Sequence, residues 1–98
     1  MSVVRINQFK ALAGKGPEVV AAFQEVLPKI RTAEGCESCE LLINAENQDQ
    51  VVIIEQWPDI SAHQAAAKLI APKDFQRIIG LLEGKPSGTY YTANENQS

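Results

Sequence analysis

The segment from Val51 to His63 constrains the fold most strongly, because a strand and the start of a helix meet within it. Its sequence, VVIIEQWPDISAH, is typical of an apolar strand that ends at Glu55-Gln56-Trp57 and is followed by a helix start near Asp59. The chain's only tryptophan and its only histidine are therefore expected at the same end of a sheet. In a small domain with few other side chains suited to binding or catalysis, a pocket is expected at this end of the sheet.

The hydrophobic pattern of the whole chain predicts four strands and two helical regions. The predicted strands are Val3–Lys10, Cys36–Glu46, Val51–Trp57 and Thr89–Thr92, and the predicted helices are a stripe over Val19–Ile30 with Pro17 at its start, followed by two weaker segments, Ser61–Ile70 and Pro72–Leu82. The order βαββαβ, with a split second helix, predicts a ferredoxin-like α+β sandwich with a four-stranded antiparallel sheet over residues 1–93. Residues 94–98 are expected to form a mobile tail.

Two residues are expected to shape the end of the first helix. Pro28 falls inside the apolar stripe and should kink the helix or thin its last turn. Gly35 should end the helix as a left-handed cap.

The central strands carry apolar side chains on both faces of the predicted sheet. In the third strand, Val52 and Ile54 alternate with other aliphatic residues, and Leu42 does so in the second strand. Two helices can cover only one face of a four-stranded sheet, so the other face would be an exposed apolar patch that tends to associate. We therefore expect a homodimer joined through the sheet faces.

Composition excludes several classes of partner. The formal net charge is -3 and the lysines are scattered, which argues against nucleic acid as a partner. The longest aliphatic run, Val51–Ile54, is far shorter than the roughly 20 residues that span a bilayer. The N-terminal sequence MSVVRINQFK carries charge and amides where a signal peptide would be apolar, so a cytoplasmic location is expected.

The sequence favours no cofactor or metal. Cys36 and Cys39 form a CxxC pair, but they are predicted at the start of a strand, where positions three apart point to opposite faces. A tetrahedral metal site would need two more ligands, and His63 is the only imidazole. No glycine-rich phosphate loop lies between a strand and a helix.

The chain resembles the antibiotic biosynthesis monooxygenase family of dimeric α/β barrel proteins over about residues 2–93. The resemblance rests on Gly35-Cys36, on Glu55-Gln56-Trp57, and on Ala62-His63 in the following helix. It implies a small cofactor-independent oxygenase acting on a phenolic, quinol or anthrone-type aromatic with O₂. Two other interpretations stay open: a non-catalytic dimer that binds a small ligand, and an isomerase or lyase acting on a small lactone.

Haem-degrading relatives supply a further alternative. An asparagine on the first strand donates to haem in those enzymes, and Asn7 matches it. They also need an axial histidine and a tryptophan later in the second helical region, and the stretch 64–77 contains neither residue type. Arg77 lies near the position of that ligand, so haem degradation is the less favoured interpretation.

The resemblance makes three residues the candidates for catalysis. Trp57 would be a flat wall for an aromatic substrate, His63 the base or proton shuttle, and Asn7 the donor to a developing oxyanion. Each also has a structural interpretation: a core aromatic, a histidine of no consequence on the helix flank, and an amide bonded to backbone. Arg5, on the same face as Asn7, is either its partner or exposed to solvent.

Four more residues are predicted to contact the substrate: Phe23, Ala66, Arg77 and Tyr90. Arg77 could instead be solvated on the last helix. Tyr90 and Tyr91 should point to opposite faces, so only one of them can line a pocket. Glu55 is expected to pair with a lysine or cap a neighbouring backbone rather than to act as an acid.

Overall fold

The computed structural model describes residues 2–94 and contains four strands and three helices. In chain order they are β1 (Val3–Lys10), α1 (Gly16–Arg31), β2 (Ser38–Ile43), β3 (Gln50–Trp57), α2 (Ile60–Ala67), α3 (Pro72–Gly80) and β4 (Ser87–Thr92). The predicted ferredoxin-like α+β fold, with its four-stranded antiparallel sheet and split second helical region, is confirmed. The predicted mobile tail falls, except for Asn94, outside the described residues.

The sheet places β1 at its centre, in the order β2-β3-β1-β4. Arg5 of β1 lies opposite Glu55 of β3 on one side and opposite Tyr90 of β4 on the other. Because side chains in a strand alternate between faces, these three residues share one face of the sheet. All three helices add residues to a single buried cluster on that face, for example Phe23 of α1 and Ile78 of α3.

The turn from β1 into α1 is held by one side chain from another turn. The carboxylate of Asp49 accepts hydrogen bonds from the backbone N–H groups of Gly14 (3.0 Å) and Gly16 (2.9 Å). Gly16 has no room for a side chain, because a Cβ there would lie 2.7 Å from the carbonyl carbon of Gln48. The helix continues through Pro28 to Arg31, although Pro28 has no N–H and one helical hydrogen bond is therefore missing there.

Several predicted boundaries were wrong. β2 spans Ser38–Ile43 rather than Cys36–Glu46, because the side chain of Asn44 accepts from the backbone N–H of Glu46 (2.8 Å) and stabilises a turn there. α1 ends at a C-cap residue, Thr32, in right-handed conformation, so Gly35 is not the cap.

Gly35 has a positive φ of 89° in the loop beyond the helix, packed near Pro58 and Ala62. The helices α2 and α3 are each shorter at their C-terminal ends than predicted. β4 begins at Ser87, two residues before the predicted start, because Ser87 and Gly88 pair with β1.

The face of the sheet away from the helices is the open face, defined here by its apolar residues Val4, Ile6, Leu42, Val52, Ile54 and Tyr91. Leu42 and Tyr91 are 42% and 49% exposed, and the others are half-buried by their neighbours within the sheet. No helix in the described part of the chain is long and apolar enough to cross a membrane.

Candidate functional site

A cavity of about 240 Å³ lies between the helical face of the sheet and helices α1, α2 and α3. Most of its lining is apolar, and its four ionisable or amide side chains are contributed by β1, β3 and α2. The lining residues are Arg5, Asn7, Phe9, Phe23, Val26, Leu27, Ile30, Ile53, Glu55, His63, Ala67, Ile70, Phe75, Ile78, Ile79, Pro86, Ser87 and Gly88. An apolar pocket with a few converging polar groups is the usual form of a small-molecule site.

A polar cluster is built around Glu55, which is the single charged residue buried within the described range, at 6% exposure. Its Oε2 accepts a hydrogen bond from Nδ2 of Asn7 (2.9 Å) and its Oε1 accepts one from Nε1 of Trp57 (3.1 Å). Burial raises the pKa of Glu55 above its ordinary value, while the donor of Trp57, the charge of Arg5 and the donor of Asn7 act in the opposite direction. The two donors and the cation thus compensate much of the cost of burying the carboxylate.

His63 joins this cluster from the first turns of α2. The helix starts at Asp59, whose side chain accepts from the backbone N–H of Ala62 (2.8 Å) as an N-cap. Nδ1 of His63 is hydrogen-bonded to Oη of Tyr90 (2.6 Å), and Nε2 lies 4.0 Å from Oε1 of Glu55. Burial, followed by the charge of Arg5, lowers the pKa of His63, so the imidazole is neutral near neutral pH.

Arg5 and Asn7 complete the cluster from β1. Nε of Arg5 donates to Oδ1 of Asn7 (2.9 Å), and the guanidinium carbon lies 4.5 Å from the ring centroid of Tyr90. Asn7 therefore accepts from Arg5 with its oxygen and donates to Glu55 with its nitrogen, which fixes the orientation of its amide. Of the two alternatives given for Arg5 from the sequence, the structure shows the first, in which Arg5 is the partner of Asn7.

The seven residues predicted for the site do not all line the cavity. Asn7, Phe23 and His63 line the cavity. Trp57 is fully buried beneath it and touches Glu55 and His63, so its indole is no part of the cavity wall. Tyr90 holds His63 from the side, on the face opposite to Tyr91, as the alternation of β4 predicts.

Two predicted residues lie away from the cavity lining. Ala66 is buried in the core under α2. Arg77 is solvated, and its Nη2 pairs with Oε2 of Glu25 on α1 at 2.8 Å. That placement agrees with the alternative interpretation given for Arg77 from the sequence.

Glu55 is the residue that sequence reasoning placed wrongly. It pairs with no lysine and caps no backbone, since its partners are the side chains of Asn7 and Trp57. The signal was present in the alternation of β3, where Val51, Ile53, Glu55 and Trp57 share one parity and are all buried. A carboxylate in such a position must have hydrogen-bond donors or a counter-ion.

The environments of the two cysteines disfavour the reactive thiolate form. Both are free, and burial raises the pKa of Cys39 to about 12 and raises the pKa of Cys36 as well. A thiol is nucleophilic only as the thiolate, which these environments disfavour. Within residues 2–94 no three histidine, cysteine or acidic side chains are grouped to hold a metal ion.

Comparison with protein families settles the relationship of this chain. The family model described as antibiotic biosynthesis monooxygenase matches residues 2–78. The chain belongs to that family. A comparison with curated proteins found no match.

Solved structures with the same fold include three relatives of low sequence identity. Rv0793 from Mycobacterium tuberculosis is 18% identical, with all of both chains covered and a TM-score of 0.82. SnoaB, a cofactor-independent oxygenase from Streptomyces nogalater, is 20% identical, with 97% of this chain and 95% of its own covered and a TM-score of 0.79. A putative antibiotic biosynthesis monooxygenase from Nitrosomonas europaea is 14% identical, with 99% and 94% covered and a TM-score of 0.85. At these identities the similarity shows the fold alone.

The residues around the cavity do not fit a haem group. Haem iron is held by an axial histidine, cysteine, methionine or tyrosine side chain, and of these residue types only His63 is among the residues that line the cavity. The only histidine of the chain, His63, engages Nδ1 with Tyr90 and directs Nε2 towards Glu55.

Proposed function

We propose that this protein is a cofactor-independent monooxygenase that oxidises a small phenolic, quinol or anthrone-type aromatic with O₂. The observation that carries the proposal is the apolar cavity with a neutral histidine and a buried carboxylate at one end. SnoaB, which has this fold and is a cofactor-independent oxygenase, supports the same assignment.

The chemistry needs a base, because the substrate itself must supply the electrons. His63 accepts a proton from the substrate at Nε2, while its Nδ1–H donates to Oη of Tyr90. The imidazolium that forms lies 4.0 Å from Oε1 of Glu55, whose negative charge stabilises it. The electron-rich substrate anion then reacts with O₂: the substrate gives up two hydrogens in all, one oxygen atom enters the product as a carbonyl oxygen, and the other leaves as water with those two hydrogens.

The cavity also provides the environment in which the substrate anion reacts. Phe23 and the aliphatic residues of α1 and α3 keep water from the reacting centre. The amide of Asn7 is oriented by its two neighbours and lies at the polar end of the cavity. We propose that it helps to hold the substrate oxygen on which charge develops.

The test is oxygen uptake by the metal-free protein with a panel of quinols and anthrones. His63→Ala is expected to slow turnover by roughly 10²-fold, the usual contribution of a general base. Gln64→Ala is the matched control, because Gln64 is the next residue on α2 and is exposed. Uptake that equals autoxidation for the whole panel would refute the proposal and leave a ligand-binding dimer as the better interpretation. Uptake unchanged in His63→Ala would remove the histidine from the mechanism.

We further propose that two copies pair through their open faces. Six apolar residues on that face would otherwise stay in contact with water, which is unfavourable for a protein of this size. Ile54→Lys, at the centre of the open face, is expected to convert a dimer into a monomer in light scattering. The control is Lys29→Ala, at an exposed position of α1, which should leave the dimer intact. A wild-type protein that is monomeric at every concentration would contradict the dimer.

The cytoplasmic location expected from the sequence also stays a proposal. Fractionation of cells that express the full chain tests it, with recovery in the membrane fraction or in the medium as the contrary result.

A further inference from the structure

We propose that Arg5 is the group that binds the substrate as an oxyanion, and that Gly88 is the residue that makes room for it. The inference rests on the function proposed above and specifies its substrate class: a small aromatic with an acidic hydroxyl, bound with its ionised oxygen on the Arg5 guanidinium. Neither residue was among the candidates from the sequence.

The first observation is that Arg5 makes no ion pair at contact distance with any described residue, although its charge acts on Glu55 within the polar cluster. It is half-buried on the inner face of the sheet and lines the cavity. Among residues 2–94, no carboxylate lies within ion-pair distance of its guanidinium, and Glu55 receives its hydrogen bonds from Asn7 and Trp57 instead. A half-buried cation without a paired anion attracts one from solution.

The second observation is that the guanidinium is held in place before any ligand arrives. Its Nε donates to Asn7, and its Cζ lies over the ring of Tyr90, 4.5 Å from the ring centroid. Among residues 2–94, Arg5 donates a hydrogen bond only from Nε, to Asn7. The N–H groups of its two Nη nitrogens are therefore available to a ligand. Preorganised donors of this kind bind an oxyanion without the entropic cost of ordering the side chain.

The third observation is that this position exists only because residue 88 is glycine. Gly88 lies opposite Asn7 in the pairing of β1 with β4. A Cβ at residue 88 would lie 2.6 Å from Cζ of Arg5 and 2.6 Å from Oδ1 of Asn7, and closer still to Nη2 of Arg5. Any side chain at this position must therefore push the guanidinium out of its place.

The charges balance when the substrate hydroxyl loses its proton. The O–H bond breaks, the proton forms an N–H bond at Nε2 of His63, and the electron pair stays on the substrate oxygen. The new anion lies beside Arg5 and the new imidazolium lies beside Glu55, so each charge formed has an opposite charge as its neighbour. The size of the cavity, about 240 Å³, is below the range of drug-sized pockets and favours the smaller members of the proposed substrate class, those with one or two rings.

The probe for the test is 4-nitrophenol, whose anion and neutral form have different absorption spectra and which does not react with O₂. The wild-type protein is expected to bind the anion in preference, so that the bound phenol ionises at lower pH than the free phenol. Arg5→Gln and Gly88→Ala are each expected to weaken binding of the anion by about tenfold or more, the loss typical of a charge-assisted hydrogen bond. Gly80→Ala, at a helical glycine with open space around its Cβ position, should bind as the wild type does.

Arg5→Lys serves as the second variant, because it keeps the positive charge and the fold while losing the planar fork. It is expected to recover part of the affinity for the anion. Binding of the anion that is equal in the wild type, Arg5→Gln and Gly88→Ala would overturn the inference, even if oxygen uptake with quinols is intact. Conversely, preferential binding of the anion that depends on Arg5 and Gly88, in a protein without oxygen uptake, would support the inference and refute the proposed oxygenase function.

Discussion

Trp57→Phe is expected to lower the free energy of unfolding by about 3–5 kcal/mol. The indole of Trp57 is fully buried, and its Nε1 donates to Oε1 of Glu55 at 3.1 Å. Phenylalanine keeps an aromatic ring in the core but has no donor for this carboxylate. The substitution therefore separates the hydrogen bond from most of the packing.

The expected magnitude has two parts. A hydrogen bond to a charged group contributes about 1.5–3 kcal/mol. The phenyl ring buries two fewer carbons than the indole does, and at about 0.8 kcal/mol for each buried carbon the loss is about 1.6 kcal/mol. Together they give the range stated above, which is a large share of the stability of a domain this small.

The assay is urea denaturation of a double-mutant cycle with Glu55→Gln, under the two-state description that suits a chain of this length. The carboxamide of Gln is a weaker acceptor and Asn7 competes for its single oxygen, so Trp57→Phe should cost less in that background. We expect a coupling free energy of about 1–2 kcal/mol between the two positions. The packing loss cancels in the cycle, because it is present in both backgrounds.

The same variant has an expected dependence on pH. The folded-state pKa of Glu55 is above its unfolded value, so the folded protein holds this proton more tightly and stability falls as pH rises between the two values. Loss of the Trp57 donor raises the folded pKa further and extends that window upwards. The cost of Trp57→Phe should therefore be larger near about pH 7 than near about pH 4.

Two results would refute this reasoning. A coupling free energy near zero would mean that the indole does not stabilise the carboxylate in solution. An equal cost at both pH values would mean that Glu55 has the same charge in the variant and in the wild type across the whole range.

The remaining predictions concern the turn into α1 and the cysteines. Asp49→Ala should lower the melting temperature, because the N–H groups of Gly14 and Gly16 lose their acceptor. These hydrogen bonds lower the pKa of Asp49, so its contribution is present above the unfolded pKa and is lost as pH falls through the folded one; the difference from the wild type should narrow in acid, and a constant difference would contradict this. In the folded protein at neutral pH, a thiol reagent should modify Cys36 before Cys39, whose pKa is raised to about 12 and whose side chain is buried. Labelling of Cys39 at the rate of free cysteine would show that this burial is absent in solution.

The fold was predictable because its signals are local. Apolar alternation in Val51–Trp57, the helical stripe of α1 and the loops between them each follow from neighbours in sequence. Boundaries were less predictable, since the end of β2 depends on the side chain of Asn44, which could equally have continued the strand.

The site was less predictable because its geometry comes from pairing between distant strands. The parity of β3 places Glu55 on the inner face, but only the register of β1 with β3 and β4 brings Arg5 and Tyr90 beside it. In the sequence, Gly88 looks like one of the glycines of a loop. Its role follows only from its position opposite Asn7 in the pairing of β1 with β4. Propensity and periodicity contain no information about such a contact.

The position of β4 at the edge of the sheet determines how many molecules have a complete site at any moment. β4 pairs only with β1, and its residues other than Tyr90 are exposed, so it is the strand that opens with the least loss of buried surface. When it opens, Tyr90 leaves His63 and Gly88 leaves Arg5, while Trp57 and the buried core stay folded. We therefore expect a local equilibrium, rather than global unfolding, to set the fraction of molecules with a complete site, and amide hydrogen exchange along β4 measures it directly.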